Sequence, residues 1–253
     1  MKRWFCILVL WILLIPSLNG QKRAITHDDL FNIKRVSDPQ VSSDGQWVAY
    51  TVTVFDKSAN TSNSDIWLIS IDGGEPRRLT DSPESDKHPR WSPDGSQLAF
   101  TSSRSGIEQV YLLTIATEEI RQVSTLSTGA ADAIWSPDGS HLAFISSVFP
   151  ELEGDSANAA RLKELEDSPV KARIAERLLY RQWDRWTDLT RSHVFVQPVS
   201  GGPARDVTPG DYDTPPLDLG GQEDYTFSPD ASHLYYVKNT DPVVTLSTNN
   251  DLF

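Results

Sequence analysis

Sulfur is nearly absent from this chain. Its 253 residues include one cysteine, Cys6, and one methionine, so an intramolecular disulfide and a multi-cysteine metal site are both excluded. Positive charge is also scarce: 23 Lys and Arg stand against 35 Asp and Glu, a formal charge of -12. A broad phosphate-neutralising surface is thereby excluded, and nucleic acid with it. The five histidines, His27, His88, His141, His193 and His233, show no pair at helical ligand spacing. No metal and no cofactor is expected. What the chain does have is apolar material, 38% of its residues, enough to pack one or two domains.

That apolar material is distributed unevenly. Residues 1–20 begin with Lys2 and Arg3, continue with an unbroken apolar run from Trp4 to Ile15, and end with Pro16 and small or polar residues. This is the layout of a signal peptide, its apolar run falling short of the ~18 residues of a membrane span. Export to the periplasm or beyond is expected, with cleavage near Gly20 and Gln21. Membrane contact is expected only through this segment, if it stays uncleaved. Cys6 sits within the run and reads as a passive hydrophobe.

The rest of the chain repeats itself. VSSDGQWVAYT at 41–51, WSPDGSQLAFT at 91–101, WSPDGSHLAFI at 135–145 and FSPDASHLYYV at 227–237 align without gaps. Each reads as a tight turn between strands: in Ser92-Pro93-Asp94-Gly95 proline presets φ, Asp bonds back to nearby amides, and Gly takes the positive φ that ends the turn. In the last copy Ala231 replaces that Gly, at a cost of about 1 kcal/mol if its φ is positive. Leu98 with Phe100, and Leu142 with Phe144, alternate onto one face of the outgoing strand. A second hairpin follows at 64–80, 108–124 and 192–208. Two hairpins make a four-stranded unit.

Spacing identifies the unit. Asp44 to Asp94 is 50 residues and Asp94 to Asp138 is 44, the ~40–50 expected of a propeller blade. The expected fold is an all-β, partial β-propeller over 21–253, with blade repeats near 41–80, 91–124, 135–208 and 227–253. The third copy is stretched: Asp138 lies 57 residues before Phe195, where Asp94 lies 17 before Tyr111. An insertion at about 150–190 accounts for it. Its Ala, Leu, Glu, Lys and Arg content favours helix. Ser168-Pro169 reads as the start of its firmer helix, over about 169–182, after a short one. Asn249–Phe253 matches Asn63–Trp67, so the sequence is expected to stop inside a blade.

These motifs carry a family resemblance. WSPDG with LAF, then DIWLISIDGGEPRRLT, the lead-in ITHDDLFNIKRVSDPQVSSDG at 25–45, and LLYRQWDRWTDLTRSHVFV at 178–196 together resemble the amino-terminal propeller of the prolyl oligopeptidase family of serine peptidases, on the dipeptidyl peptidase and acylaminoacyl peptidase side. The repeat alone also resembles TolB-type propellers, which bind protein partners. The resemblance to the peptidases implies an α/β-hydrolase domain beyond this chain that holds the catalytic Ser, Asp and His, a peptide substrate, and a gating role for the propeller. No Gly-x-Ser-x-Gly elbow occurs between residues 1 and 253, so no catalytic residue is expected here.

Within that resemblance, Arg181, Trp183, Asp184 and Trp186 are the candidate substrate-binding residues. A carboxylate there can hold a peptide's free amine, and the indoles can pack its side chains. Docking of the insertion on the propeller is the competing role for Trp183 and Trp186. The repeat aspartates are read as turn residues. Trp47, Trp67, Trp91 and Trp135 are read as blade packing.

Overall fold

A computed structural model describes residues 23–172, 174, 178, 180–182, 185, 186, 189–216, 224–241 and 243–253. The expected signal segment lies outside these residues. Residues up to Ile33 and those from Lys34 onward form two separate units. In the first, a short helix α1 (His27–Asn32) starts where the Asp29 carboxylate accepts the Thr26 backbone N–H at 2.7 Å.

The second unit is a series of antiparallel sheets, each meandering in chain order. The first contains β1 (Arg35–Val41), β2 (Trp47–Asp56), β3 (Thr61–Ser70) and β4 (Arg77–Arg78). The next holds β5 (Asp86–Trp91), β6 (Gln97–Ser102), β7 (Gln109–Thr114) and β8 (Ile120–Gln122). The third sheet starts with β9 (Ala131–Trp135) and β10 (His141–Val148). It is then interrupted by the insertion, which carries the two-stranded ribbon β11 (Arg181–Gln182) and β12 (Arg185–Trp186), and resumes with β13 (Arg191–Pro198) and β14 (Arg205–Asp206). In the fourth, β15 (Tyr225–Phe227), β16 (Leu234–Lys238) and β17 (Asp251–Leu252) are paired. Each sheet starts with a strand that runs ahead of the repeat motif, so the blades begin several residues upstream of the turns.

The turn chemistry is the expected one. Gly45, Gly95 and Gly139 all have φ 71, and Ala231 is held at φ 58. Asp94 Oδ1 accepts the Ser92 hydroxyl at 2.6 Å and the Ser96 amide at 3.1 Å, and Asp44, Asp138 and Asp230 repeat the pattern. These donors hold Asp138 at about 2 and depress the other three carboxyls as well. A second signature closes each complete sheet: the Thr80, Ser124 and Thr208 hydroxyls accept the backbone N–H of Ile66, Val110 and Val194.

The core lies between sheets. Leu98 and Phe100 pack with Ile66, Leu68 and Leu79 of the first blade, whereas Ala99, on the opposite pleat, packs with Leu142 and Phe144 of the third. Indole N–H groups stitch neighbours together: Trp91 donates to Gln40 O at 3.0 Å and Trp135 to Arg90 O at 2.9 Å. Phe227, at the same repeat position, has no such donor. There the Tyr225 hydroxyl donates instead to Asp132 O. Trp47 departs from the packing role: it is 41% exposed, because it shares the outward column of Gln97, His141 and His233.

The insertion departs further. Its helix α2 spans Asp155–Asp167, and Ser168 ends it with an extended backbone, φ -60 and ψ 127. Proline at 169 pushes the preceding residue out of the helical region, so Ser168-Pro169 acts as a stop. The described positions of 169–182 are not helical. Ile174 and Leu178, which would share one face of a helix there, are 83% and 66% exposed, and an isolated helix without a buried face is marginal. α2 is anchored to the blade: Asp155 Oδ1 accepts the Ser127 amide at 2.7 Å, and Asn158 Oδ1 accepts the Phe149 amide at 2.9 Å. Among the described residues no helix is long and apolar enough to cross a membrane.

Candidate functional site

The innermost strands β1, β5 and β9 share one irregularity. Pairing skips from Ser37 to Gln40, from Lys87 to Arg90, and from Ala131 to Ile134, a bulge in which two residues oppose one. The first bulged residue is left-handed each time: Asp38 at φ 51, His88 at φ 59 and Asp132 at φ 58. Asp and His are among the few non-glycine types that enter this region readily, and residues held there often mark functional sites.

The three bulges project their side chains into one cavity of about 710 Å³. Serine and threonine residues of β2, β6 and β10 line it, as do Lys87, Glu108 and Thr190. Around Asp38, Arg90 Nη1 donates to both carboxylate oxygens at 2.9 Å, and Gln40 Nε2 donates to Oδ1 at 2.9 Å. His88 Nδ1 lies 3.2 Å from Arg90 Nη2, 3.5 Å from Asp132 Oδ1 and 3.8 Å from Asp38 Oδ2. Three successive blades thus meet in one cluster of charged and titratable groups.

The insertion contributes to the same wall. Trp186 lines the cavity. It pairs across the β11–β12 ribbon with Arg181, whose guanidinium sits 5.8 Å from the indole centroid, and Tyr180 stacks on it at 6.1 Å and 23°. Of the four residues expected at the substrate site, Arg181 and Trp186 are therefore together, and Trp186 reaches the cavity. Trp183 and Asp184 lie outside the described residues. The bulge residues escaped the sequence reading, although a signal existed: Asp38, His88, Asp132 and Asp224 all stand three residues ahead of the aromatic or aliphatic residue that opens each repeat.

The strand that re-enters the third blade is also clamped. His193 is 2% exposed; its Nδ1 lies 2.6 Å from Asp206 Oδ2 and its Nε2 2.8 Å from Gly210 O. Beside it Arg191 Nε reaches Asp211 at 2.9 Å, and Asp213 accepts the Ser192 amide, its carboxyl pushed up by burial. This network fixes Thr190 and the end of the insertion relative to the sheet.

Comparison with known proteins places this architecture. The model of the TolB beta propeller domain matches residues 15–153, more than half of the chain. The chain belongs to that family. It is also 31% identical over 237 residues to dipeptidyl-peptidase 5 of Porphyromonas gingivalis, covering 90% of this chain and 33% of that protein. The same-named protein of Porphyromonas endodontalis is 25% identical over 242 residues, covering 92% and 34%. The chain thus spans about a third of the length of these curated relatives. Among solved structures, acylaminoacyl peptidase of Pyrococcus horikoshii superposes with a TM-score of 0.60 at 16% identity, over 87% of this chain and 30% of that one. That likeness is one of fold.

Proposed function

We propose that this propeller is the substrate-gating part of an exported serine exopeptidase of the dipeptidyl or acylaminoacyl peptidase type. The observation that carries the reading is the dipeptidyl-peptidase 5 alignment, which takes in 90% of the chain and so runs through the insertion as well as the repeat. The cavity suits the task. It is polar, lined by hydroxyls and charges that can satisfy an extended peptide backbone, and Trp186 offers an apolar surface at its wall. In this reading Arg181, Trp183, Asp184 and Trp186 form the rim that receives the substrate's amino end. The acyl chemistry belongs to a hydrolase domain outside these 253 residues: a His-activated serine attacks the peptide carbonyl, and backbone amides hold the oxyanion. Residues 1–20 direct the protein out of the cytoplasm.

The test is to express the protein from the full reading frame and assay it on dipeptidyl and acylaminoacyl anilides, with and without a serine-directed phosphonate. Hydrolysis abolished by the phosphonate is the expected result. Hydrolysis that survives it, or none at all, overturns the reading. Amino-terminal sequencing of the exported product, expected to start near Gln21, tests the leader.

A second reading has its own support. A 48-residue stretch is 46% identical to the Tol-Pal system protein TolB of Bordetella pertussis, which favours a binding propeller without chemistry. A reading frame that continues into further blades without a Gly-x-Ser-x-Gly elbow would select it.

A further inference from the structure

The fourth sheet caps its aromatic pair differently from the second. Tyr236 stacks on Phe253 at 5.8 Å and 12°, at the register where Phe100 stacks on Tyr111 in the second sheet. Over the second-sheet pair lies Arg104, its guanidinium 5.4 and 5.1 Å from the two ring centroids. That guanidinium is anchored, because it also donates to Asp86 at 2.8 Å and to the Ser102 hydroxyl at 2.9 Å. Over the fourth-sheet pair lies Lys238, whose Nζ is 4.5 Å from the Phe253 centroid and 6.0 Å from that of Tyr236. A third ring, Tyr212, closes on it at 4.9 Å. Among the described residues, the Lys238 ammonium has no carboxylate or hydrogen-bond partner.

That lysine sits in acidic company. Residues 192–253 carry nine Asp and Glu against two bases, Arg205 and Lys238; Asp251 faces Lys238 across the strand pair, and Asp211 and Asp213 flank Tyr212 in sequence. A sector of one sign concentrates ions of the other, here cations. The cage is also built before any ligand arrives. Tyr212 packs on Gly210, where a Cβ would come within 3.1 Å of its ring, and the Gly210 carbonyl lies 2.8 Å from His193 Nε2. On the other side, Asp213 accepts the Ser192 amide at 2.9 Å. Tyr212 is itself 40% exposed, so solvent reaches the cage.

Aromatic faces gathered round one cation are the arrangement that recognises quaternary ammonium groups. A lysine ammonium is strongly hydrated and rides on a flexible stem, so it leaves such a cage for water more readily than an anchored guanidinium does. A quaternary nitrogen has no N–H to leave unsatisfied there. We propose that Tyr212, Tyr236 and Phe253 form a binding site for a quaternary ammonium group, and that Lys238 fills it in the free protein. The incoming cation displaces the Lys238 side chain into water, with no bond made or broken. The site stands whether or not the gating reading holds.

The experiment is an NMR titration of the full-length protein with tetramethylammonium chloride, with sodium chloride at equal ionic strength as the control. In the free protein the Cε protons of Lys238 should be shifted upfield by the rings. Tetramethylammonium should move them to the position of a solvated lysine, and sodium should not. Lys238→Ser installs the residue that the second and third blades carry at this register, Ser102 and Ser146. By removing a tethered competitor it should bind tetramethylammonium about tenfold more tightly than the wild type. Tyr212→Leu added to that variant should abolish the binding. Lys238 protons that do not respond to tetramethylammonium, equal affinity in wild type and Lys238→Ser, or binding that survives Tyr212→Leu overturns the proposal. Should the variants fail to fold, the wild-type spectrum decides by itself. None of these readouts uses peptidase activity, so failure of the gating reading leaves them intact.

Discussion

The second and third blades are the same sheet built without and with an interruption. In the second, six residues, 103–108, join β6 to β7; in the third, 42 residues, 149–190, join β10 to β13. Register is nonetheless identical. Ser102 faces Gln109 as Ser146 faces His193, and Phe100 faces Tyr111 as Phe144 faces Phe195. Loop-closure entropy explains the tolerance, since it grows only with the logarithm of length: a sevenfold longer connection costs about 2 kcal/mol. The third blade also carries longer strands, eight residues in β10 and β13 against six in β6 and β7, which add cross-strand pairs at the point of interruption. An arm can therefore be hung on a blade at small cost, provided that the strands on either side are lengthened.

The sharpest way to break this comparison is to remove the central aromatic of each blade. Phe100 stacks on Tyr111 at 5.8 Å and Phe144 on Phe195 at 6.3 Å, all four rings in the core between blades. Phe100→Ala and Phe144→Ala should each cost about 3–5 kcal/mol in urea denaturation of the full chain. The two losses should agree within about 1 kcal/mol. A much smaller loss for Phe144 would mean that the insertion leaves the third blade loosely packed.

Next in size is the partly buried polar contact that the third strand makes with the closing segment of its sheet, which differs from blade to blade. Asp65 pairs with Arg78 at 2.8 Å in the first, Gln109 accepts from the Ser124 hydroxyl at 2.6 Å in the second, and His193 meets Asp206 at 2.6 Å in the third. The first and third are the same pair with its polarity reversed. Both His193 nitrogens face acceptors, Asp206 and Gly210 O. His193→Gln, which copies the second blade, cannot fill both contacts and should cost about 2 kcal/mol. The loop over 208–214 should become more open to hydrogen exchange. Protection equal to that of the wild type would show that the clamp is dispensable.

Smaller again is the gain at Ala231. At φ 58 its Cβ is strained where the other three copies have glycine, so Ala231→Gly should stabilise the chain by about 0.5–1 kcal/mol. A loss would mean that the fourth turn tolerates the left-handed residue better than its counterparts suggest.

Which features the sequence betrayed follows from where side-chain identity is the constraint. The turns were legible because a positive φ, a short acceptor and a preset φ demand Gly, Asp and Pro at fixed offsets. The faces of β6 and β10 were legible because the core demands large apolar groups on alternate positions. The bulges were hidden, because what they demand is a backbone angle that Asp and His meet equally well, so the column reads as Asp, His, Asp rather than as a motif. The helix expected over 169–182 shows the opposite error. Composition favoured it, but its described positions are not helical and Ile174 and Leu178 are exposed, whereas the helix expected ahead of Ser168 is there at 155–167, where Asp155 and Asn158 are anchored to the blade. Trp47 is a third kind: its alignment column, shared with Gln97, His141 and His233, predicted exposure better than its residue type did. At the candidate site, Trp186 was legible as an aromatic on the insertion, whereas its neighbours across the cavity were not.

The turn carboxylates should give the smallest effect, visible only in acid. Ser136, Ser140 and the Ser140 amide donate to Asp138 and hold it at about 2, and similar donors depress Asp44, Asp94 and Asp230. An unfolded carboxyl titrates near about 3.9, so the unfolded chain takes up these protons first. The stabilisation is complete above about pH 4 and is lost as pH falls toward about 2. Asp65 and Asp213 act with the opposite sign: burial raises both, so the folded chain binds their protons first, and their contribution is greatest in acid and lost as pH rises through the folded values. All of these groups remain in Asp138→Asn except one. That variant should melt close to the wild type at about pH 6 and decline less steeply between about pH 4 and about pH 2. Asp94→Asn in the second turn removes a carboxyl depressed by the same kinds of donor and should change the acid slope in the same direction, less strongly, because His141 also favours the Asp138 carboxylate and Gln97 stands in its place in the second blade. A slope change of opposite sign for the two variants would show that the interrupted blade loads its turn differently from the regular one.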